Sequence, residues 1–113
     1  MKAQQQATLL RLFVGERDRY GHEPLYEAIV VKARELGLAG ATVLRGSLGY
    51  GASSVVHTAK ILELSEDLPI VIEIVDSDER IEGFLPVLDG MMSSGLVTLE
   101  RVRVLQYGLP AKA

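Results

Sequence analysis

The sequence predicts an α+β sandwich in which two β-α-β halves form one antiparallel sheet with both helices on one face. Three patterns support this prediction. Alternating apolar residues favour strands at residues 8–14 and 70–75, and helical spacing of apolar residues follows each strand. A further strand pattern closes each half, at residues 41–45 and 96–105. Two such halves fold most simply into the ferredoxin-like arrangement.

The first strand is apolar on both of its sides. Leu10, Leu12 and Val14 alternate on one side, whereas Leu9 and Phe13 lie on the other. A sheet built around this strand needs a cover on each face.

The first helix follows Pro24, a residue that suits the first turn of a helix because it has no backbone N–H to leave unpaired. Its predicted apolar stripe is Leu25, Ala28, Ile29, Ala33 and Leu36. Gly37 is the predicted C-terminal cap.

The segment between the halves begins with a strand at residues 41–45 and continues into a loop with three glycines. Residues 58–64 are ambiguous, because Ile61, Leu62 and Leu64 suit either a short strand or a turn of helix. We favour a strand there.

The second half repeats the pattern. Ile70, Ile72 and Ile74 alternate along its first strand, and Asp76 with Glu79 offers an acidic capping pair for the next helix. The apolar residues at helical spacing are Ile81, Phe84, Leu85, Leu88, Met91 and Met92. We expect the helix to bend at Pro86, with this residue on the exposed side.

The last strand follows Ser93, Ser94 and Gly95, which close the second helix. Its apolar phase shifts between Leu99 and Val102, which predicts a β-bulge.

Composition narrows the class of protein. The chain has 113 residues, 48% of them hydrophobic and 24% charged, which fits one domain over residues 1–113. A net charge of −3 and 5% aromatic residues argue against nucleic acid as a partner. With no cysteine, no apolar signal-peptide core and no apolar run of about 20 residues, we expect a cytoplasmic protein without membrane insertion.

The sheet face opposite the helices is left bare in this architecture. Because the first strand is apolar in both phases, that face is expected to meet copies of itself. We expect a homo-oligomer, and a ring of three is the state that we favour.

The glycine-rich loop is the candidate ligand site. Glycines at this spacing let the backbone present successive N–H groups to an anion, and arginine offers a planar fork of donors for phosphate or carboxylate. The candidate residues are Arg45, Gly46, Gly49, Tyr50, Gly51, Ser53 and Ser54. The alternative is a set of tight turns. The glycine spacing is that of a P-loop, but Ala52 stands where the P-loop lysine is required, so we do not expect phosphoryl transfer.

Other polar residues offer weaker sites. His22 and His57 lack metal-ligand spacing, and Ser53, Ser54 and His57 lack an acidic residue to complete a catalytic set. We therefore expect neither a metal site nor an enzyme. The mixed-charge turn of Glu16, Arg17, Asp18 and Arg19 is interpreted as a solvated loop or as the rim of an intersubunit cleft in which Glu16 and Arg17 orient a ligand.

Four motifs carry a family resemblance: GATVLRG (40–46), GYG (49–51), LPIVIE (68–73) and GLVT (95–98). With them nearly the whole chain resembles uncharacterised protein family 166, also called domain of unknown function 190. More distantly, the chain is similar to the PII nitrogen-regulatory signalling proteins. Their Gly-x-Thr-Val strand enters a Gly-Phe-Gly segment, a flexible loop and then a Leu-Pro strand.

The PII resemblance implies a trimer with nucleotide bound between subunits. It implies contacts from Gly49, Tyr50 and Gly51, and from a second element whose glycine matches Gly95. A ligand there would order the 45–57 segment and change what it docks against. No cofactor is implied. The regulated partner suggested by analogy is a membrane transporter or channel.

The chain departs from the PII pattern after Gly95, where Leu96 stands in place of a lysine, and only Arg101 and Arg103 lie nearby. A smaller or less charged adenine ligand is therefore as compatible as ATP. The alternative function is a divalent-metal-binding or purely structural oligomeric adaptor of the CutA type, with His57 at a subunit interface.

Overall fold

The computed structural model of the protein describes residues 3–50 and 67–106. In chain order, the elements are β1 (Ala3–Gly15), β2 (Arg19–Tyr20), β3 (Glu23–Pro24), α1 (Leu25–Glu35), β4 (Thr42–Arg45), β5 (Pro69–Asp76), α2 (Asp78–Met91) and β6 (Leu96–Gln106). The main sheet has the order β4-β5-β1-β6, and every neighbouring pair is antiparallel. The predicted ferredoxin-like α+β fold is confirmed. The small β2–β3 hairpin was not expected from the sequence.

The core lies between the helices and one face of the sheet, which we call the helix face. The alternating residues Leu10, Leu12 and Val14 of β1 and Ile70, Ile72 and Ile74 of β5 are buried there, as predicted. The helices contribute Leu25, Ala28, Ile29, Ala33, Ile81, Phe84 and Leu88. Burial of these side chains supplies most of the driving force for the fold.

Helix α1 differs from the prediction at both ends. Pro24 is the N-cap residue, one position before the helix rather than in its first turn. The prediction that Leu36 belongs to the buried stripe is wrong, because the helix ends at Glu35 and the Leu36 side chain is 54% exposed. Leu38 packs against the core instead, after Gly37 reverses the chain with a φ of 81°.

The expected acidic capping pair of α2 is also wrong. Ser77 is the N-cap residue, and its hydroxyl accepts a hydrogen bond from the Arg80 N–H at 3.3 Å. Asp76 instead accepts from the backbone of Ser77 and of Ala39. Pro86 lies within α2 on the exposed side, as predicted.

Strand β6 has no bulge, contrary to the prediction. Its pairing with β1 runs in unbroken register from Phe13 opposite Leu96 to Ala3 opposite Gln106. The residues for which a strand was favoured, 58–64, lie outside the described part of the chain.

The second face of the sheet carries no helix, and we call it the open face. By strand alternation it presents Leu9, Phe13, Leu44, Val71, Val75, Leu96 and Val102. At its centre, the guanidinium of Arg11 pairs with Glu73 of β5 at 2.9 Å and with Glu100 of β6 at 3.4 Å. The predicted bare apolar face is therefore present, with a small charged network in its middle.

Candidate functional site

One end of the sheet gathers the described candidate residues. The C-terminal ends of β4 and β1 lie there beside the N-terminal ends of β5 and β6, because all neighbouring strands are antiparallel. Arg45 is opposite Ile70, Gly15 is opposite Pro69, and Leu96 is opposite Phe13. The glycine-rich loop, which follows β4, and Gly95, which precedes β6, are therefore attached to strands at the same end of the sheet.

The glycine-rich loop begins by packing on Pro69. The Gly46 N–H donates to the Pro69 carbonyl at 2.8 Å, and a Cβ atom at position 46 would lie only 2.7 Å from Pro69 Cγ. A Cβ atom at position 49 would also meet Pro69 Cγ, at 3.0 Å. The glycines thus allow a close approach of the loop to the start of β5, a role that the sequence pattern alone did not separate from ligand contact.

Arg45, the last residue of β4, is ion-paired. Its Nη2 lies 2.5 Å from Glu16 Oε2, with the side chain of Arg45 54% exposed and that of Glu16 26% exposed. Tyr50 is 70% exposed on the same loop. The candidate cation of the site is accessible to solvent and already has a carboxylate partner.

Backbone hydrogen bonds fix the loop that carries Glu16. Its N–H donates to the Leu68 carbonyl at 2.9 Å. Asp18 closes the turn, since its carboxylate accepts from the Gly15 N–H at 2.9 Å and its N–H donates to the Gly15 carbonyl at 3.1 Å. Glu16 is therefore held in place from its own loop and from the chain just before β5.

Gly95 lies at the other edge of the sheet and joins α2 to β6. Its φ of 118° favours glycine, and a Cβ atom there would lie 2.8 Å from the Phe13 carbonyl oxygen. A cleft of about 240 Å³ opens beside it, lined by Leu88, Asp89, Met92, Ser93, Ser94, Gly95 and Val97. Sequence analysis assigned the serines to the end of a helix. The serines line a cleft because α2 leaves part of β6 uncovered, and Val97 of that strand is 38% exposed.

The structure therefore divides the candidate residues into two groups within one subunit. Arg45, Gly46, Gly49 and Tyr50 lie at the β4 edge, and Gly95 lies at the start of β6. Three strand spacings, about 14 Å, separate the two edge strands. Gly51, Ser53 and Ser54 lie outside the described residues, as does the His57 on which the metal alternative depends.

Within 3–50 and 67–106, no three histidine, cysteine or carboxylate side chains come close enough together to hold a metal ion. Neither helix of this part of the chain is long and apolar enough to cross a membrane.

Comparison with protein families gives one match over most of the chain. The model of the family DUF190, described as "Uncharacterized ACR", matches residues 7–104. A UPF0166 protein of Aquifex aeolicus is 40% identical over 97 residues, which cover 86% of this chain and 91% of that protein. A UPF0166 protein of Methanocaldococcus jannaschii is 35% identical over 94 residues, which cover 82% and 86%.

Two solved structures that superpose on this chain are PII-like proteins. A PII-like signaling protein of Thermus thermophilus superposes with a TM-score of 0.62 at 18% identity, covering 89% of this chain and 90% of that one. CPII of Thiomonas intermedia, bound to ADP and bicarbonate, superposes with a TM-score of 0.57 at 19% identity and covers 92% and 93%. These likenesses establish a PII-like fold.

Proposed function

The chain belongs to the DUF190 (UPF0166) family, and we propose that it is a PII-like regulatory protein whose subunits bind a small anionic ligand between them. The ligand that we propose is an adenine nucleotide, and the assembly is a homotrimer. The observation that supports the proposal is that the described candidate residues lie at the two opposite edges of a PII-like sheet, at the same end of its strands.

A ligand bound within one subunit cannot easily contact both the candidate residues at the β4 edge and Gly95 at the start of β6. It would have to run from Gly46 to Gly95 over the ends of β5 and β1, where the loop of Glu16 is hydrogen-bonded to the chain before β5. A ligand that contacts both groups is better placed between subunits.

The strand directions support this arrangement. In a ring whose rotation axis runs parallel to the strands, β4 of one subunit faces β6 of the next. The two strands are then antiparallel, since β4 runs parallel to β1 and β6 runs against it. The C-terminal end of β4, with Arg45 and Gly46, comes next to the Gly95 of the neighbouring subunit. The open face turns towards the axis and is covered by its copies.

The chemistry of the site favours an anion with few charges. Arg45 offers a planar fork for phosphate or carboxylate oxygens, while Asp89 is the charged residue of the cleft beside Gly95. CPII, which shares the fold, has been solved with ADP and bicarbonate and with ADP, AMP and acetate. We therefore favour ADP or AMP over ATP.

The regulatory output in this proposal is the 45–57 segment. Arg45 is the first residue of that segment, so a ligand bound to Arg45 contacts the segment directly. Ordering of a segment by ligand contact is a common switching mechanism. A membrane transporter or channel, the docking partner suggested by analogy, stays a prediction, as does a cytoplasmic location.

Calorimetric titration with ADP, AMP and ATP, together with light scattering of the eluted protein, tests the proposal. We expect a trimer that binds ADP or AMP once per subunit interface, with affinity reduced in Arg45→Gln and unchanged in Arg34→Gln, which removes the same charge from α1. A monomer, or a trimer that binds none of the three nucleotides, would contradict it.

A further inference from the structure

Arg45 is the first residue of the 45–57 segment and, in the proposed function, the residue that binds the anion. Its partner in the structure is Glu16. Among the described residues, Glu16 supplies the one carboxylate paired with Arg45, with Nη2 and Oε2 2.5 Å apart. A carboxylate accepts charge-assisted hydrogen bonds from a guanidinium in the same way as a phosphate or a bicarbonate does. The anion position at Arg45 is thus filled by a group of the protein.

We propose that Glu16 is a built-in competitor for the anion site at Arg45, so that a ligand oxyanion binds by replacing the Glu16 carboxylate. This inference rests on the proposed function and adds a specificity-determining residue to it. Ligand binding then separates the end of β4 from the loop after β1.

The two partners differ in how firmly they are held. The backbone of Glu16 is bonded to Leu68, and its turn is closed by Asp18. Arg45 is the more exposed of the two, at 54% against 26%, and it carries a long flexible stem. The arginine is therefore the partner that turns towards a ligand, while Glu16 stays with its loop.

The exchange has a direct effect on the following residues. The pair bridges the first residues of β5, and the Gly46 N–H bond to the Pro69 carbonyl lies next to it. When Arg45 turns to a ligand, the link to the loop after β1 is lost, while the Gly46 N–H bond and the close approach of Gly46 to Pro69 still hold the start of the loop to β5. The ion pair thus sets both the affinity for the anion and the hold on the last residue of β4.

The test is titration of the full-length protein with ADP, with sodium bicarbonate as a second probe. An ion pair of this exposure is weak, so Glu16→Gln should bind ADP about two- to fivefold more tightly than the parent protein. Glu35→Gln, which removes the same charge at the far end of α1, should leave the affinity unchanged. Glu16→Asp keeps the charge but is one methylene shorter, and it should give a smaller gain.

A double-mutant cycle separates competition from a general change of charge. The gain from Glu16→Gln should vanish when Arg45 is replaced by Gln. A gain with bicarbonate alone identifies the free anion as the group that takes Arg45, and a gain confined to ADP identifies its phosphate. Unchanged or weaker ADP and bicarbonate binding by Glu16→Gln, or an equal gain without Arg45, would overturn the inference and leave the proposed function standing. If neither probe binds the parent protein, this inference fails, and the proposed function fails with it only if AMP and ATP do not bind either.

Discussion

Arg45 Nη2 lies 2.5 Å from Glu16 Oε2, which joins the end of edge strand β4 to the loop after β1 across the beginning of β5. The pair connects two segments that are distant in sequence and that both border the candidate site. The positive charge proposed to receive an anion is therefore matched by a negative one.

The first prediction concerns the stability of this loop. Glu16→Gln should lower the free energy of unfolding by less than about 1 kcal/mol, because exposed ion pairs contribute little. Asp18→Ala should cost more, about 1–2 kcal/mol, because it removes the carboxylate that accepts a hydrogen bond from the Gly15 N–H within a partly buried turn. Urea denaturation of both variants checks the order, and an equal or reversed cost would contradict it.

The second prediction tests the close approach of the glycine loop to β5. In Gly46→Ala, the new methyl group would lie 2.7 Å from Pro69 Cγ, so the loop must move away from a rigid ring. We expect a loss of about 1–3 kcal/mol in stability. Gly40→Ala is the matched control, since a Cβ atom there meets nothing within 4 Å. Thermal unfolding should separate the two variants, and an equally stable Gly46→Ala would refute the predicted contact.

The third prediction concerns the turn into β6. Gly95→Ala combines a left-handed φ of 118° with a Cβ atom 2.8 Å from the Phe13 carbonyl oxygen. We expect a loss of at least about 1–3 kcal/mol. Gly90→Ala, in the open on α2, should instead stabilise the protein by about 0.5–1 kcal/mol because alanine is the better helix former. Chemical denaturation checks the opposite signs, and a shared sign would count against this geometry.

Much of the fold could be predicted because one face of the sheet is buried. The alternation of Ile70, Ile72 and Ile74 follows directly from burial on the helix face, and so do the helical stripes. The predicted bulge in β6 failed for the opposite reason. β6 is an edge strand with both faces partly exposed, so its apolar phase does not report a single buried side.

The binding role of the candidate residues stays a prediction. Residue type and spacing pointed to Arg45 and Gly46, whereas Gly95 was named from the resemblance to PII proteins. Glu16 was interpreted as part of a solvated loop or of a cleft rim, because its pairing with Arg45 depends on the sheet order β4-β5-β1 and not on a local motif. The cleft beside Ser93 depends on how far α2 leaves β6 uncovered, which no local pattern encodes.

The fourth prediction addresses the open face. Leu96 is 57% exposed on this face, opposite Phe13. In the proposed trimer it is buried, so Leu96→Glu should place an unpaired charge in the interface and shift the protein to monomers. Val31→Glu is the control, with a side chain 54% exposed on α1. Light scattering measures the mass, and a Leu96→Glu protein that keeps the parent mass would exclude this face as the interface.

The last prediction tests whether the two halves of the site meet between subunits. The chain has no cysteine, so engineered thiols react without a background. Ser47 follows β4, and Ser94 precedes β6. Within one subunit, the two edge strands are separated by three spacings, about 14 Å, whereas a disulfide requires Cα atoms less than about 7 Å apart. The Ser47→Cys, Ser94→Cys double variant should therefore form disulfides between chains and give linked dimers and trimers on a denaturing gel. Each single variant and the pair Val31→Cys, Ser94→Cys should stay unlinked beyond collisional background. If the double variant also stays unlinked although its trimer persists, the subunits are arranged differently and the shared site is refuted.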